Sequence, residues 1–500
     1  HTMISFILGI VLLFLGYFIY GKIVEKMFGV DANRPTPATT MADGVDYVPM
    51  KPWRIYLIQF LNIAGVGPIC GAIMGAKFGT ASFLWIVFGT IFGGAVHDYL
   101  SGMISLRRKG CGLPDIYKEN LNEKANIFFN FFTIFMLILV GIVFVNTPAT
   151  LLNSQFTPDW NIFIWIVIIM AYYMLATLVP IDKLIGKIYP VFGILLLMMA
   201  AALVVAFILY QPAIPELWDG LQNKHPQADT NPIFPMMFIS IACGAISGFH
   251  ATQSPLMARC MTNEKQGRPI FYGAMITEGI VALIWAAAAA YFYGPDGPVD
   301  TTGQSGPAMV GTIAKHWFTP AIAVITILGV ISAAITSGDT ALRSARLVLA
   351  DVLHFDQKPI WKRLAIAIPL FAAVTGGLIY SLKRPDRFDI IWYYFAWANQ
   401  VLAAYTLWAI THYLAVNGKK LFAVLTTLPA IFMTMVTTSF LFVTDKGLGA
   451  FFPHSTGYAL GGIVTFLALM ESTQWYRKHG VITKEKLKKL NYRIFKRKKV

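Results

Sequence analysis

Charged residues are scarce in this chain. Only 13% of its 500 residues are Asp, Glu, Lys or Arg, whereas 56% are hydrophobic, and the mean hydropathy is +0.61. A soluble domain carries about 25% charged residues, so this composition excludes an ordinary soluble globular protein. Apolar stretches of about twenty residues recur along the chain, and each is long enough to cross the hydrocarbon core of a bilayer. The sequence therefore predicts an all-α polytopic membrane protein.

Cysteine is rare as well, and the short catalytic motifs are absent. The four cysteines include no C-x-x-C pair, so neither a disulfide framework nor a zinc site is indicated. The sequence has no phosphate-binding loop, no G-x-S-x-G and no H-E-x-x-H motif, which argues against nucleotide-driven transport and against an intramembrane hydrolase. We therefore expect a protein that is not an enzyme and that has no catalytic residue, no cofactor and no resident metal.

The apolar stretches divide into about thirteen predicted transmembrane helices. The first, Met3 to Tyr20, has no basic segment before it and no small-residue cleavage site after it. It is therefore predicted to be a retained helix rather than a cleaved signal peptide. The spans cover roughly residues 3–20, 53–78, 81–104, 125–146, 161–180, 184–210, 233–258, 270–293, 318–338, 363–381, 390–416, 420–443 and 455–476.

The basic residues indicate the orientation of these spans. With the N-terminus outside, most of the 40 Lys and Arg residues fall in cytoplasmic loops and in the C-terminal tail, as the positive-inside rule requires. A cluster at Lys383, Arg384 and Arg387 is a local departure. The sequence thus predicts a multi-pass protein with its N-terminus outside and its C-terminus in the cytoplasm.

The tail, residues 477–500, is strongly basic. Its apolar residues Leu487, Leu490 and Ile494 are spaced for one face of a helix. An amphipathic helix on the anionic inner leaflet explains this pattern better than nucleic-acid binding does. The lipid bilayer is therefore an expected partner, and nucleic acid is not.

Two of the predicted spans contain helix-breaking residues near their middle. The first breaks at Ala64 to Pro68 and the second at Ser247 to Pro255. Freed backbone groups inside a bilayer are tolerated where they face a protein-enclosed cavity, and a matched pair of broken helices points to the substrate site of a secondary transporter. The alternative is that Gly and Pro merely kink packed helices, which is common in membrane proteins.

The two broken helices open two sets of five spans, residues 53–210 and 233–416. Because five is odd, the second set has the reverse topology, which gives the inverted five-plus-five (LeuT-like) repeat of several secondary transporters. One extra helix precedes the repeat, within residues 3–52 together with a cytoplasmic loop. Two additional helices follow it, within residues 420–476, ahead of the basic tail.

The chemistry of the breaks favours an anion such as a carboxylate. Pro68 suits the first position of a new half-helix, and Ser254 followed by Pro255 suits a helix N-cap and first position. Half-helices that start at mid-membrane present free amides and positive dipole ends. The predicted substrate-binding residues are Asn62, Gly65, Gly67, Pro68, His250, Thr252, Gln253 and Ser254.

Ionisable groups inside the membrane are few, and each is a candidate for ion coupling. Glu278, near the centre of its span, is the first proton-coupling candidate, because apolar surroundings disfavour a charged carboxyl group. His97 and Asp98 follow, although a structural pair at the inner interface is an equal alternative. The hydroxyl groups of Thr336 and Ser337 suggest a sodium site against carbonyl groups of the first broken helix. Asp339, expected near the membrane surface, completes the set.

Several long motifs resemble one known family. They are Phe28-Gly29-Val30-Asp31, Arg34 to Pro37, Asp43 to Pro49, Gln59 to Ile69, Gly93 to Tyr99 and Ile246 to Pro255. Together they resemble the carbon starvation protein CstA family over residues 3 to 475. The resemblance implies a proton-driven uptake transporter for peptides or pyruvate in the bacterial inner membrane, made during nutrient limitation. It also implies kinship with the amino acid–polyamine–organocation transporters.

Other function classes fit the sequence less well. A sodium-coupled symporter of amino acids or related solutes stays open as an alternative. A channel needs a continuous polar pore, but the polar residues in these spans are isolated. A membrane sensor needs a signalling domain, and no loop exceeds about 35 residues. The sequence leaves open whether the substrate is a peptide or pyruvate, since both present a carboxylate to the same amides.

Overall fold

The computed structural model describes residues 2–179, 181–383 and 385–497. For residues 181–185, 385–386, 388–389 and 481–497 it describes the backbone and not the side chains. Every regular element within the described residues is helical. The helices, numbered in chain order, are α1 Ile4–Phe28, α2 Pro52–Ile63, α3 Val66–Ala76, α4 Ala81–Arg107, α5 Leu113–Asn120, α6 Glu123–Phe156, α7 Ile162–Leu178, α8 Ile181–Tyr210, α9 Phe238–Ile241, α10 Gly248–Ala258, α11 Glu264–Tyr293, α12 Gly306–Trp317, α13 Pro320–Leu353, α14 Ile360–Leu382, α15 Pro385–Val416, α16 Lys420–Val443 and α17 His454–Arg497.

The chain is a multi-pass membrane protein. Nine helical segments in the described part are long and apolar enough to cross a membrane, with Ile233–Ala258, which includes α9 and α10, counted as one. The number is ten if α2 and α3, which meet at an angle of 48°, also form one span. Each of the thirteen predicted spans lies on one of these helices or on a broken pair, α7, α15 and α17 included. The count of thirteen spans and the inverted repeat stay predictions. Residues 498–500 of the predicted tail lie outside the described residues.

The broken helices form the centre of the molecule. The pair α2 and α3, and the pair α9 and α10, pack against each other and are surrounded by α4, α8, α11, α13 and α15. Almost all side chains of these two pairs are buried, whereas α1 and α14 expose apolar residues on their outer sides. Apolar residues on the outside are expected where a helix faces lipid, because hydrocarbon tails offer them the same environment as a protein core.

The loops gather on two opposite faces. We call one of them the basic face, and it contains the 29–51 loop and the loop after α10. These two loops are in contact there, where Met50 N donates to Cys260 O at 3.1 Å. On the other, the turn after α3 meets the 211–232 segment, and Thr80 N donates to Gly220 O at 2.9 Å. Each of these two contacts joins segments that the sequence places on the same side of the membrane.

Candidate functional site

The first break is a short interruption between α2 and α3. Gly65 lies in it, and a Cβ atom added there would stand 2.7 Å from Ser337 Oγ, so only glycine fits without displacing that hydroxyl group. No side chain caps the start of α3 at Val66. The sequence predicts Pro68 at the first position of the half-helix, whereas it is the third residue of α3. Its missing N–H is still harmless, because the first-turn amides of a helix have no partner within it.

Ser337 on α13 binds the carbonyl end of α2. Its Oγ lies 3.1 Å from Leu61 O and 2.8 Å from Asn62 O, and donates to them. The neighbouring Thr336 instead donates to Ser332 O, within its own helix, at 2.8 Å. The two hydroxyl groups predicted as a sodium site are therefore separated, and only that of Ser337 reaches the first break.

The second break lies earlier in the chain than the sequence predicts. The α-helix ends at Ile241, a 3₁₀ turn follows at Ala242–Gly244, and the α-helix resumes at Gly248. Ser254 and Pro255 lie inside α10, so the prediction that they start the half-helix is wrong. The Ser254 hydroxyl donates to His250 O at 2.9 Å, one turn back in the same helix, and caps nothing.

Two amide side chains on α15 replace the hydrogen bonds that are lost at the second break. Asn399 Oδ1 accepts from both Ser247 Oγ and Phe249 N, each at 2.8 Å. Gln400 Nε2 donates to Ala242 O at 3.0 Å. Because unpaired backbone groups are costly inside a membrane, these contacts explain why the chain unwinds here and not at Pro255.

The two breaks lie side by side because glycines allow close contact. A Cβ atom at Gly67 would stand 2.6 Å from Cys243 Sγ, and one at Gly71 would stand 2.3 Å from Ile241 O. Small residues let helix backbones approach in membranes. The structure thus brings the two predicted halves of the substrate site together.

Four titratable side chains form a buried network beside the second break. Asp98 Oδ1 lies 2.8 Å from His97 Nδ1, and Asp98 Oδ2 lies 2.8 Å from His250 Nδ1. His250 Nε2 lies 3.3 Å from Glu278 Oε2, without hydrogen-bond geometry. All four side chains are fully buried. Residues that the sequence assigned separately to substrate binding and to ion coupling are therefore in contact.

This network can hold a proton on either of two facing atoms, His250 Nε2 and Glu278 Oε2. An ionised carboxylate only accepts hydrogen bonds, so each histidine presents Nδ1–H to Asp98. In a neutral His250 the Nε2 atom then carries a lone pair that faces Glu278. One proton can lie on His250 Nε2 or on Glu278 Oε2, and moving it between them changes the charge of both groups.

Buried amides near the breaks lack partners. Gln59 and Asn62, three residues apart and thus on one face of α2, are fully buried, and neither side-chain amide has a hydrogen-bond partner. Gln253 Oε1 on α10 is also unpartnered. Leaving such a group unpaired costs about 1–3 kcal/mol. Their donors and acceptors are therefore available to a polar ligand.

Other predicted residues of α10 are engaged within the protein. Thr252 Oγ1 donates to Phe249 O at 2.6 Å. Gln253 Nε2 donates to Thr252 Oγ1 at 3.0 Å and to Ser344 Oγ at 3.2 Å. The Thr252 hydroxyl group thus fixes the orientation of Gln253, whose carbonyl oxygen stays available.

Asp339 lies apart from this network. It is fully buried, in the middle of the 34-residue helix α13, and its position near the membrane surface stays a prediction. The Tyr189 hydroxyl group donates to its Oδ2, and the hydroxyl groups of Tyr172 and Tyr189 are 3.0 Å apart. The predicted span ends at residue 338, whereas helix α13 continues to Leu353.

Three further side chains at the breaks, those of Gln59, Asn399 and Gln400, are not among the predicted site residues. All three are amide residues inside apolar spans, and all three are fully buried. The criterion that selected Glu278, a polar group placed inside the membrane, also applies to them. An uncharged amide is a weaker signal than a carboxylate, because its partner is not apparent from the sequence.

Comparisons with known proteins agree with the transporter architecture. The model of the family described as carbon starvation protein CstA matches residues 1–164, 148–295 and 302–440. The peptide transporter CstA of Bacillus subtilis is 24% identical to this chain over 563 residues, covering 92% of the chain and 93% of that protein. The pyruvate/proton symporter BtsT of Escherichia coli is 28% identical over 332 residues, covering 53% of this chain and 46% of that protein.

A solved structure has the same fold. A mutant of the Eremococcus coleocola manganese transporter matches with a TM-score of 0.55 at 13% identity, covering 89% of this chain and 98% of that chain. At this identity the likeness concerns the fold alone. The curated relatives given above are named as transporters.

Proposed function

The chain belongs to the carbon starvation protein CstA family, and on that premise we propose that it is a proton-coupled secondary transporter. Its substrate is a small carboxylate-bearing nutrient, a peptide or pyruvate, taken up in the response to nutrient starvation. The relatives named for peptide transport and for pyruvate/proton symport support this substrate class. The protein resides in the bacterial inner membrane, with its N-terminus outside and its C-terminus in the cytoplasm, so that the basic face is cytoplasmic.

The observation that carries the proposal is the contact between the second break and the proton network. His250 belongs to α10, the half-helix that follows the break, and it bridges Asp98 and Glu278. A change in the position of α10 therefore changes the distance between His250 and Glu278. Conversely, adding or removing a proton there changes the electrostatic energy of each arrangement, which is the requirement for coupling an ion to transport.

The carboxylate of the substrate binds at the start of α3. That N-terminus has no side-chain cap and carries the positive end of a helix dipole, which favours an anion. The free amides of Gln59 and Asn62 and the Gln253 carbonyl oxygen supply hydrogen bonds to the remainder of the molecule. Gly65 and Gly67 let Ser337 and Cys243 pack closely against this helix start. Transport then alternates access between two halves arranged as an inverted five-plus-five repeat, with one helix before it and two after.

One observation favours a second candidate, sodium coupling. The Ser337 hydroxyl group and the carbonyl groups of Leu61 and Asn62 meet at the end of α2, and oxygen ligands of this kind suit a hard cation. In this arrangement the single O–H of Ser337 is shared between the two carbonyl oxygens, so a sodium ion has to displace that hydrogen bond. The proton network requires no such displacement, and we therefore prefer it.

Transport by the purified protein in liposomes tests the proposal. Labelled pyruvate and labelled dipeptides are offered outside under an inward proton gradient, and separately under an inward sodium gradient at equal pH. We expect one of them to accumulate above equilibrium under the proton gradient and to leak out again when a protonophore is added. Accumulation that follows sodium and ignores pH selects the second candidate. If neither compound is bound or transported, the proposed substrate class is wrong.

A further inference from the structure

Three buried arginines lie on the basic-face side of the breaks, where α13 and α14 meet the end of α7. Arg343 and Arg346 are fully buried, and Arg363 is nearly so. Arg343 Nη2 donates to the carbonyl oxygens of Ala176 and Val179, and Arg363 Nη1 donates to that of Leu178. Cations at a helix C-terminus satisfy its free carbonyl groups. Capping of α7 therefore explains part of the cluster.

Capping leaves several guanidinium donors unexplained. Arg343 Nε and Nη1 have no hydrogen-bond partner, and neither have Arg346 Nε and Nη2. Arg346 is bound at only one position, where Nη1 donates to Gln357 Oε1 at 2.7 Å. Buried charged groups are normally paired and fully hydrogen-bonded, because leaving them otherwise is costly.

The free donors of the two arginines converge on one carboxylate. Asp46 Oδ1 lies 3.9 Å from Arg343 Nη1 and 3.9 Å from Arg346 Nη2. Both distances are too long for a hydrogen bond, and Asp46 Oδ1 has no other partner. The positive charges of Arg259 and Arg363 add to the field at Arg346. The guanidinium groups of Arg343 and Arg346 thus share one carboxylate, that of Asp46, and neither forms a hydrogen bond with it.

Asp46 belongs to a compact segment on the basic face. In this Asp43 loop, residues 43–49, the Asp43 carboxylate accepts from the backbone N–H groups of Val45, Asp46 and Tyr47. The Tyr47 hydroxyl group donates to Lys109 O at 2.9 Å. Because these contacts tie the loop together, the backbone of Asp46 moves together with the loop.

The arginine pair is next to the substrate site. Ser344, adjacent to Arg343 in the chain, accepts from Gln253 and donates to Thr252 O at 2.9 Å. Arg346 follows Ser337 by nine residues on α13, which corresponds to about 14 Å along the helix. A ligand leaving the breaks towards the basic face therefore approaches the two arginines before it reaches the loops.

We propose that Arg343 and Arg346 form a second carboxylate-binding site, which binds the substrate carboxylate on its way to the cytoplasm. When no substrate is bound there, the Asp46 carboxylate occupies this site. The inference rests on the proposed function, since it concerns the same substrate. The planar guanidinium fork of arginine matches a carboxylate group. A substrate carboxylate at hydrogen-bond distance satisfies the donors that Asp46 leaves free, and its arrival releases the Asp43 loop from the arginines.

Equilibrium binding to the purified protein tests this inference. With labelled pyruvate or the dipeptide found in the transport assay, the wild type binds one equivalent per chain at the breaks, and a second only at concentrations high enough to displace Asp46. Asp46→Asn removes the internal competitor, so this variant binds two equivalents. Adding Arg346→Gln to it restores one equivalent. Arg363→Gln is the matched control, because it removes a buried cation that caps α7 but does not face Asp46. The double variant Asp46→Asn with Arg363→Gln therefore still binds two equivalents.

A second measurement reports the movement of the loop in the wild type. Burial raises the pKa of the Cys111 thiol to about 12, so maleimide labelling is slow at neutral pH. Cys111 follows Lys109 and Gly110, which contact Tyr47 of the Asp43 loop. We expect saturating substrate to accelerate labelling of Cys111 several-fold, and Asp46→Asn to do so without substrate.

The possible outcomes distinguish failure of the second binding site from failure of the proposed function. If the wild type binds substrate and Asp46→Asn still binds one equivalent with unaltered Cys111 labelling, the second site is wrong and the proposed function stands. Equal stoichiometry in the Arg346→Gln and Arg363→Gln backgrounds also overturns the second site. If the wild type binds neither pyruvate nor any dipeptide, the proposed function fails, and the second site fails with it.

Discussion

Asn399 of α15 accepts a hydrogen bond from the backbone N–H of Phe249, at 2.8 Å, in the first turn of α10. A helix start is usually capped by a residue just before it in the chain. Here the acceptor comes from a helix about 150 positions later, and the same oxygen accepts from Ser247 Oγ. Any movement of α15 relative to α10 therefore breaks or restores a cap at the substrate site.

Removal of this cap is expected to reduce both stability and transport. Asn399→Ala leaves the Phe249 N–H buried without a partner, so we expect the free energy of unfolding to fall by about 1–3 kcal/mol. A thermal melt in detergent and uptake in liposomes measure the two effects. Asn417→Ala is the control, since Asn417 is exposed just after α15. Equal melting temperatures for Asn399→Ala and the wild type would show that the cap contributes nothing.

Neutralisation of Glu278 is expected to uncouple transport from protons. Glu278→Gln keeps the shape of the side chain but cannot exchange a proton with His250 Nε2. The variant should still exchange labelled substrate across the membrane and should fail to concentrate it on a pH gradient. Glu123→Gln, at the exposed start of α6, should behave like the wild type. Concentrative uptake with unaltered pH dependence in Glu278→Gln would rule out this carboxyl group as the coupling site.

The unpartnered amide of Asn62 is expected to lower the free energy of unfolding and to contribute to substrate binding. Asn62→Leu removes two buried polar atoms that have no partner, so the variant should be as stable as the wild type or more stable by about 1–3 kcal/mol. It should lose the stabilisation that substrate gives the wild type, about 2.7 kcal/mol at a hundred times Kd.

Asn130→Leu serves as the control for Asn62→Leu. The Asn130 amide donates to Asn126 Oδ1 at 3.1 Å, away from the breaks. This variant should keep its response to substrate. A normal substrate-induced shift in Asn62→Leu would place the binding site elsewhere.

A methyl group at the first break is expected to stop transport. In Gly65→Ala the new Cβ atom meets Ser337 Oγ at 2.7 Å and pushes it from the carbonyl groups of α2. We expect uptake to fall at least tenfold, which corresponds to about 1.4 kcal/mol. Gly376→Ala in α14 is the matched control, because its Cβ atom meets nothing within 4 Å. If both variants transport equally well, close packing at the first break is not required.

The sequence by itself determined the class of the protein and the position of most helices. Spans of about twenty apolar residues have to cross the bilayer, because only a helix satisfies its own backbone hydrogen bonds there. The same reasoning located the first break at Gly65, since glycine and proline act through the local backbone. The family motifs, Gly93 to Tyr99 and Ile246 to Pro255 among them, also contain His97, Asp98 and His250, the core of the proton network.

Only the tertiary structure decided where the second helix breaks and which side chains meet. The break precedes Gly248 and not Pro255 because Asn399 and Gln400, on a helix far along the chain, supply the hydrogen bonds that the unwound segment loses. The contact of His250 with Asp98 and Glu278 joins three helices, α4, α10 and α11. Local sequence patterns carry no information on such pairings, because helix packing is set by the shapes of surfaces distant in the chain, and the free energy of a buried polar group depends on the partner it finds there.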